Sequence, residues 1–283
     1  MEVKVAVVAN PQNAQAAPAL KRICEALTAR GIETVLEKDS AELIGKAGLE
    51  QAWEGAEMVI SLGGDGTFLN TVHKMGHCDV PVAGVNIGTL GFLTACTAAD
   101  VDEFAAAIAE DRHAVVMRAV LQVSMTDETG QNHVFMALNE VVLMRGGTGR
   151  LISLEARVNG ELLNRYRADG LIVATPTGST AYSLAAGGPL IDEQAGVLVI
   201  TPICPHSLSD RSLVLGDSSV IELEANQRHS DSILFTVDGR DVLQLGESSV
   251  VRVERAPAPL KIVRLPNHSF YETLRGKLGW SGG

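Results

Sequence analysis

The chain has 283 residues, 46% of them hydrophobic and 20% charged, with a formal net charge of −11. This is the composition of a globular protein long enough for two domains and able to bury a sizeable core. The acidic balance argues against broad binding to nucleic acid or anionic membranes while allowing a local basic pocket, and 4% aromatics offer no stacking platform for single strands.

Residues 3–9 predict a buried first strand, broken by Asn10-Pro11. With no basic leader and a short apolar run, this is a strand rather than a signal peptide. No stretch approaches the ~18 apolar residues of a membrane span. Cys24, Cys78, Cys96 and Cys204 are dispersed and fit small core positions in a reducing compartment, so the expected location is cytoplasmic. Residues 16–29 predict a helix with Leu20, Ile23, Cys24 and Leu27 on one stripe and Gly31 as its stop. A second strand at 34–36 and a weaker helix at 43–53 follow.

The stretch 58–69 organises the rest. Met58-Val-Ile-Ser-Leu62 has the length and content of a buried strand, then Gly63-Gly64-Asp65-Gly66 breaks it. Thr67 is the expected cap of a helix through Phe68, Leu69, Val72 and Met75. Asp65 therefore sits on a glycine loop between a strand and a helix N-terminus, where backbone N–H groups attract a phosphate. A carboxylate there needs a task of its own: accepting a proton from a hydroxyl nucleophile, or holding a metal that bridges phosphates. Gly-Gly-Asp-Gly is equally a tight turn when taken alone. A further strand at 81–86 enters Ile87-Gly-Thr-Leu-Gly-Phe92. This alternation predicts a parallel sheet covered by helices, with both glycine loops lining the crevice beyond the strand ends.

Asp100, with Glu103 three residues on, predicts a capped helix over Val101, Phe104, Ala105 and Ile108. The pattern then turns to short alternating strands at 118–125, 151–158, 220–225, 233–237, 250–255 and 260–265, with Asn159-Gly160 a strong hairpin signal. The tail, 267–280, reads as an amphipathic helix carrying Phe270, Leu274 and Leu278, expected to return to the first domain. The fold class is thus an α/β N-terminal domain with a parallel sheet, residues 1–113 with 267–283, plus a mostly-β, sandwich-like domain, residues 114–266.

Three stretches of the second domain are odd for a plain sandwich. Asn139-Glu140 interrupts the apolar run 135–144. Residues 167–189 lead from a strand at 171–174 into a long Pro, Gly, Ser and Thr loop containing Tyr182, suited to adenine edges, ribose hydroxyls or phosphates. Five arginines (145, 150, 157, 165, 167) against two glutamates give 145–167 a local balance of +3, with Arg150 and Arg167 the candidates for a pyrophosphate and Arg157 a solvated strand face. His73 and His77, four apart, lack a third ligand and read as surface histidines. His206 is either near the site or a plain loop residue. No Walker phosphate loop and no Gly-x-Ser-x-Gly nucleophile is present.

In joint occurrence and order, Gly63-Gly-Asp-Gly-Thr67, Asn139-Glu140, Asp169-Gly, Thr175-Pro-Thr-Gly-Ser-Thr-Ala-Tyr182, the Gly-Gly-Pro189 after it and the Leu-Gly-Trp280 tail resemble the bacterial NAD kinases. The resemblance spans nearly the whole chain. It implies transfer of the ATP γ-phosphoryl to the 2′-hydroxyl of the adenosine ribose of NAD, with Mg²⁺ arriving with ATP rather than in a protein cage. It implies Asp65 as base, Gly63, Gly64, Gly66 and Thr67 as the phosphate loop, and NAD held by Asp65, Gly66, Phe92, Asn139, Glu140, Arg150, Arg167, Asp169, Thr180, Ala181, Tyr182, Ser183, Leu184 and Ala185. An arginine at 167 resembles members that prefer NAD over NADH, and the family resemblance implies a homodimer or homotetramer. One position departs: after Val237-Asp238-Gly239 many members carry Gln, whereas this chain has Arg240. Two other classes share part of the pattern. A lipid kinase carries the Gly-Gly-Asp-Gly-Thr stretch but needs an apolar pocket and membrane access. A dinucleotide sensor would bind NAD without needing a carboxylate on the glycine loop.

Overall fold

The computed structural model describes residues 3–76, 78–127, 130–147, 150–225, 233–246, 249–266 and 269–280. The chain divides into two compact units, Met1–Met117 with Lys261–Gly283, and Arg118–Leu260.

The first unit runs β1 (Lys4–Ala9), α1 (Ala16–Thr28), β2 (Glu33–Leu36), α2 (Lys38–Glu42), β3 (Met58–Leu62), α3 (Asp65–Met75), β4 (Val82–Asn86), β5 (Cys96–Thr97), α4 (Val101–Ala109) and β6 (Ala114–Arg118). Strands β2, β1, β3 and β4 are parallel neighbours. Both faces of β3 and β4 are buried, which is why their sequences are unbroken apolar runs rather than alternations. Leu20, Ile23 and Leu27 of α1 meet Val5, Val7, Ile60 and Leu62 of the sheet and Phe104 of α4 in one core. Burying a side chain such as Phe104 contributes roughly 1.5–3 kcal/mol.

Three local elements differ from the expectation. Residues 43–53 do not form a helix; the helix is the five-residue α2, begun by the Glu37 side chain accepting Ser40 N–H, and Gly45 at φ +66 follows it. Thr67 is not the cap of α3, because the helix starts at Asp65 with Gly64 as its extended N-cap. Asp100 does not cap α4 through its side chain; it closes a capping box with Thr97 around a short 3-10 turn that leads into the helix.

The second unit runs β7 (Leu121–Thr126), β8 (Asn132–Ala137), β9 (Glu140–Arg145), β10 (Ile152–Val158), β11 (Glu161–Ala168), β12 (Gly170–Ala174), α5 (Tyr182–Ala185), β13 (Val197–Ile203), β14 (Leu213–Gly216), β15 (Ile221–Ala225), β16 (Ile233–Val237), β17 (Arg240–Leu245) and β18 (Val250–Arg255). They make two antiparallel six-stranded sheets, ordered β11-β10-β15-β18-β7-β8 and β14-β13-β12-β9-β16-β17. Inward residues of both, among them Val123, Leu154 and Val253 facing Leu143, Val173 and Phe235, share one core. The outer face of the second sheet is covered as well, by Ile191 and its neighbours against Val142, Ile172 and Val199. The apolar run 135–144 is therefore not one strand: β8 and β9 belong to different sheets, and Leu138-Asn139 is the crossing between them. The Asn159-Gly160 turn holds, with both residues at positive φ as a type I′ hairpin requires.

The last strand, β19 (Leu260–Arg264), leaves the sandwich and joins the first sheet between β4 and β6, parallel to β4. Helix α6 (Phe270–Leu278) follows, capped by Ser269 and ended by Gly279 at φ +66, with the Phe270 ring 6.4 Å from that of Phe92. The boundaries expected after residues 113 and 266 thus move to 117 and 260, because β6 and β19 add to the first sheet. Alternation identifies a strand without saying which sheet receives it. Among the described residues no helix is long and apolar enough to cross a membrane.

Candidate functional site

The glycine loop and the 86–92 loop leave the same edge of the first sheet, after adjacent strands β3 and β4. Gly63 N–H bonds to Val85 O at 2.9 Å, tying the two exits together. Gly63 has no room for a side chain, since a Cβ there would stand 2.2 Å from Thr67 Oγ1. Asp65 opens α3, where helix N–H groups lack internal partners and the dipole favours negative charge. Its carboxylate receives two backbone N–H groups of the neighbouring loop, Phe92 on Oδ2 and Leu93 on Oδ1, both at 3.0 Å. A carboxylate has about four acceptor positions, so each oxygen still has a lone pair for a substrate hydroxyl. Gly66 beside it is exposed. The helix is anchored below by Thr71 Oγ1 to Ser61 Oγ at 3.0 Å and by Lys74 to Glu37 at 2.6 Å.

In the second unit, Asn139 and Glu140 sit at the crossing from β8 to β9, and a residue absent from the expected set fixes it. Asp238 accepts the N–H groups of Leu138 (2.9 Å), Asn139 (2.7 Å) and Glu140 (3.1 Å). Asp238-Gly239 is itself a type I′ turn between β16 and β17, with φ of +48 and +73. The Asp-Gly pair signals a hairpin; nothing local shows that its carboxylate clasps a strand about a hundred residues away. Thr175 closes the other side: its N–H bonds Asn139 O at 2.9 Å and its hydroxyl bonds Leu138 O at 2.6 Å. Gly178 lies so close that a Cβ would be 2.1 Å from Asn139 O. The Asn139-Glu140 pair and the small-residue loop, separate in sequence, are thus one packed assembly.

Glu140 is buried, and its Oε2 has no hydrogen-bond partner among the described residues. Burial, then the neighbouring Asp238 charge, pushes its carboxyl up to about 8, against the lowering effect of the Tyr182 backbone N–H. At neutral pH it is mainly a protonated acid able to donate a hydrogen bond.

The loop 177–185 forms a 3-10 turn and then α5. Thr180 bonds back to Thr177 O. Ser183 is buried with its hydroxyl 2.9 Å from Thr201 Oγ1 on β13, so it pins α5 to the sheet. Ala181, Leu184 and Ala185 are partly or fully exposed, and Tyr182 is exposed. Asp169 pairs with Arg145 at 2.6 Å. Of the five arginines, Arg157 and Arg165 flank Glu155 at 2.5 and 2.8 Å and hold its carboxyl below the usual range. That leaves Arg150 and Arg167, both exposed, without an ion pair among the described residues. His206 lies beside Arg167, its N–H on Arg167 O at 2.8 Å. Cys204 is not a core cysteine: it is exposed at φ +43 in the turn before Pro205, whereas Cys24 and Cys96 are buried and burial pushes the Cys96 thiol up to about 12. His77 lies outside the described residues, among which no cluster of three His, Cys, Asp or Glu could hold a metal.

A carboxylate-bearing glycine loop on a parallel α/β unit, carried in one chain with a β-sandwich rich in backbone-lined loops, defines a two-unit nucleotide-binding protein. The ATP-NAD kinase N-terminal domain model matches residues 5–114 and the C-terminal domain model matches residues 138–265. The chain is 37% identical to the NAD kinase of Nitrosomonas europaea over 283 residues, covering 98% of this chain and 95% of that one. It is 37% identical to the NAD kinase of Symbiobacterium thermophilum, covering 97% and 98%. Among solved structures it resembles yeast NADH kinase complexed with NADH (TM-score 0.91, 27% identity, 100% of this chain and 89% of that one). It also resembles an NAD kinase from Archaeoglobus fulgidus in complex with ATP (TM-score 0.76, 26% identity, 99% and 100%). The chain belongs to the NAD kinase family.

Proposed function

We propose that Asp65 is the general base of ATP-dependent NAD phosphorylation, the reaction of the family to which the chain belongs. The observation that carries this reading is the carboxylate at the first residue of α3, oriented by two backbone N–H groups at the exit edge of a parallel sheet. The 2′-hydroxyl of the adenosine ribose of NAD gives its proton to Asp65 as its oxygen attacks the γ-phosphorus of ATP. The bond from that phosphorus to the bridging oxygen breaks, leaving ADP and NADP. Phosphate is held by backbone N–H groups of residues 64–67 at the start of α3; Gly63, expected in the same loop, has its N–H on Val85 O and instead shapes the turn. Mg²⁺ bound to ATP would supply charge neutralisation on the phosphates.

On the second unit the same reading gives NAD to Asn139, Glu140, Asp169 and the 180–185 loop, with Arg150 and Arg167 toward its phosphates; on the first unit the family resemblance adds Phe92. A Glu140 that is protonated near neutrality can donate to a ribose or adenine acceptor, and the Gly178 approach keeps the loop backbone at the same corner. The reading also includes a cytoplasmic homodimer or homotetramer. The test is purified protein with NAD and Mg·ATP, NADP being read by an NADP-specific dehydrogenase. NADP formation is the expected result. Bound NAD with no NADP formed would overturn the transfer reading in favour of a dinucleotide-binding protein without turnover.

A further inference from the structure

In the first unit the segment from Phe92 to Thr94 is gripped from two sides. Its N–H groups at 92 and 93 go to Asp65. Its carbonyls go to Arg264 on β19: Nη2 donates to Phe92 O at 2.9 Å and Nη1 to Thr94 O at 3.2 Å. Arg264 is 6% exposed, so this cation is buried and its fork is aimed at backbone carbonyls rather than at solvent. Two more contacts remove slack from the segment. Gly91 N–H bonds Thr94 Oγ1 at 2.8 Å, and Ala95 N–H bonds Gly84 O on β4 at 2.7 Å. β4 lies so close that a Cβ on Gly84 would stand 2.9 Å from Thr94 Cα.

Burying a guanidinium costs free energy that a loop with no demanding geometry would not require. A plain β-turn satisfies its own carbonyls more cheaply with water. Of these contacts, the one to the Phe92 carbonyl acts on a peptide plane whose other edge meets Asp65, and the others fix the two ends of the same short segment. A peptide unit is planar, so holding the Phe92 carbonyl sets where the Leu93 N–H points.

We propose that Arg264 is a positioning residue for phosphoryl transfer: by holding the Phe92 carbonyl it sets the peptide plane that points the Leu93 N–H at Asp65, and by holding the Thr94 carbonyl it anchors the far end of the same segment. This rests on Asp65 being the base. Arg264 touches no reacting atom in this scheme; it acts through the loop.

The test is a double-mutant cycle on the purified full-length chain, measuring kcat and the KM values for NAD and Mg·ATP in wild type, Arg264→Gln, Asp65→Asn and the double variant. Misplacing a reacting group by about an ångström costs roughly 10²-fold in rate, so Arg264→Gln should lose about that in kcat with KM values little changed. In the Asp65→Asn background the same change should cost less than about threefold, because there is no base left to misplace. A merely structural Arg264 would instead lower both backgrounds by the same factor, and that result, or near-wild-type kcat in Arg264→Gln, would overturn the proposal. Should Arg264→Gln not fold, Arg264→Lys keeps the charge but cannot fork to two carbonyls, and carries the same cycle with the same expected non-additivity. No NADP from wild type, or full activity in Asp65→Asn, would overturn the base assignment itself and this inference with it.

Discussion

A Cβ placed on Gly91 would stand 2.1 Å from Oδ1 of Asp65. Gly91 lies in the loop after β4 and Asp65 opens α3 after β3, and the absence of a side chain at the first leaves room for the carboxylate of the second. Gly91 is not at positive φ, so its requirement is space rather than backbone conformation.

Gly91→Ala should therefore move Asp65 without unfolding the chain. Turnover should fall by about 10²-fold, the size associated with displacing a reacting group by an ångström. Initial rates of NADP formation beside a far-UV circular dichroism spectrum check this. Wild-type turnover in a folded variant would show that the carboxylate has another route to its place.

Asp238→Ala removes the acceptor of three buried N–H groups at the Leu138–Glu140 crossing. Hydrogen bonds to a charged group contribute about 1.5–3 kcal/mol each, though three that share one carboxylate are not additive. A loss of at least about 2 kcal/mol is expected in urea unfolding, made worse by asking Ala to hold φ +48. NAD affinity should fall with it, because Asn139 and Glu140 are placed by that clasp.

Glu140 carries a pH signature. Its carboxyl titrates at about 8 when folded, against 4.5 as the ordinary value. Between those values the folded protein retains a proton that the unfolded chain has released. Stability from this group is thus full below about 4.5 and is lost as pH rises through 8. Glu140→Gln has no such proton. The drop in unfolding free energy between about pH 5 and pH 8 should be smaller in the variant than in wild type. Equal drops in urea titrations at both pH values would contradict the buried, protonated carboxyl.

The elements that were legible in the sequence are those where one physical cause dominates. β3 and its glycine loop were readable because a strand buried on both faces is a continuous apolar run, and clustered glycines let neither strand nor helix continue. Asn159-Gly160 was readable because the turn needs two positive φ values. The failures share a different cause. The split of residues 135–144 into β8 and β9 rests on Asp238, and the transfer of β19 to the first sheet rests on its partner β4; neither partner is near in sequence. The start of α3 two residues before Thr67 reflects Asp65 being held by the 92–93 amides, again a distant contact. Among the candidate residues, Asp65 on the first unit and Asn139 and Glu140 on the second announce themselves as polar residues in apolar or glycine settings. Asp238, Thr175 and Arg264 do not, because each acts on backbone groups that any sequence supplies. Charge counting also overstated the basic patch, since Glu155 takes two of its arginines and Asp169 a third.

The most direct test of the account is the rate of NADP formation from NAD and Mg·ATP by wild type and by pure Asp65→Asn, with NAD binding to both measured calorimetrically. Asn preserves the shape at residue 65 and removes the base. With Asp65 as base, wild type forms NADP and the variant loses roughly 10²–10⁴-fold, the usual size for removing a general base, with NAD affinity retained. Turnover in the variant close to that of wild type would contradict that assignment.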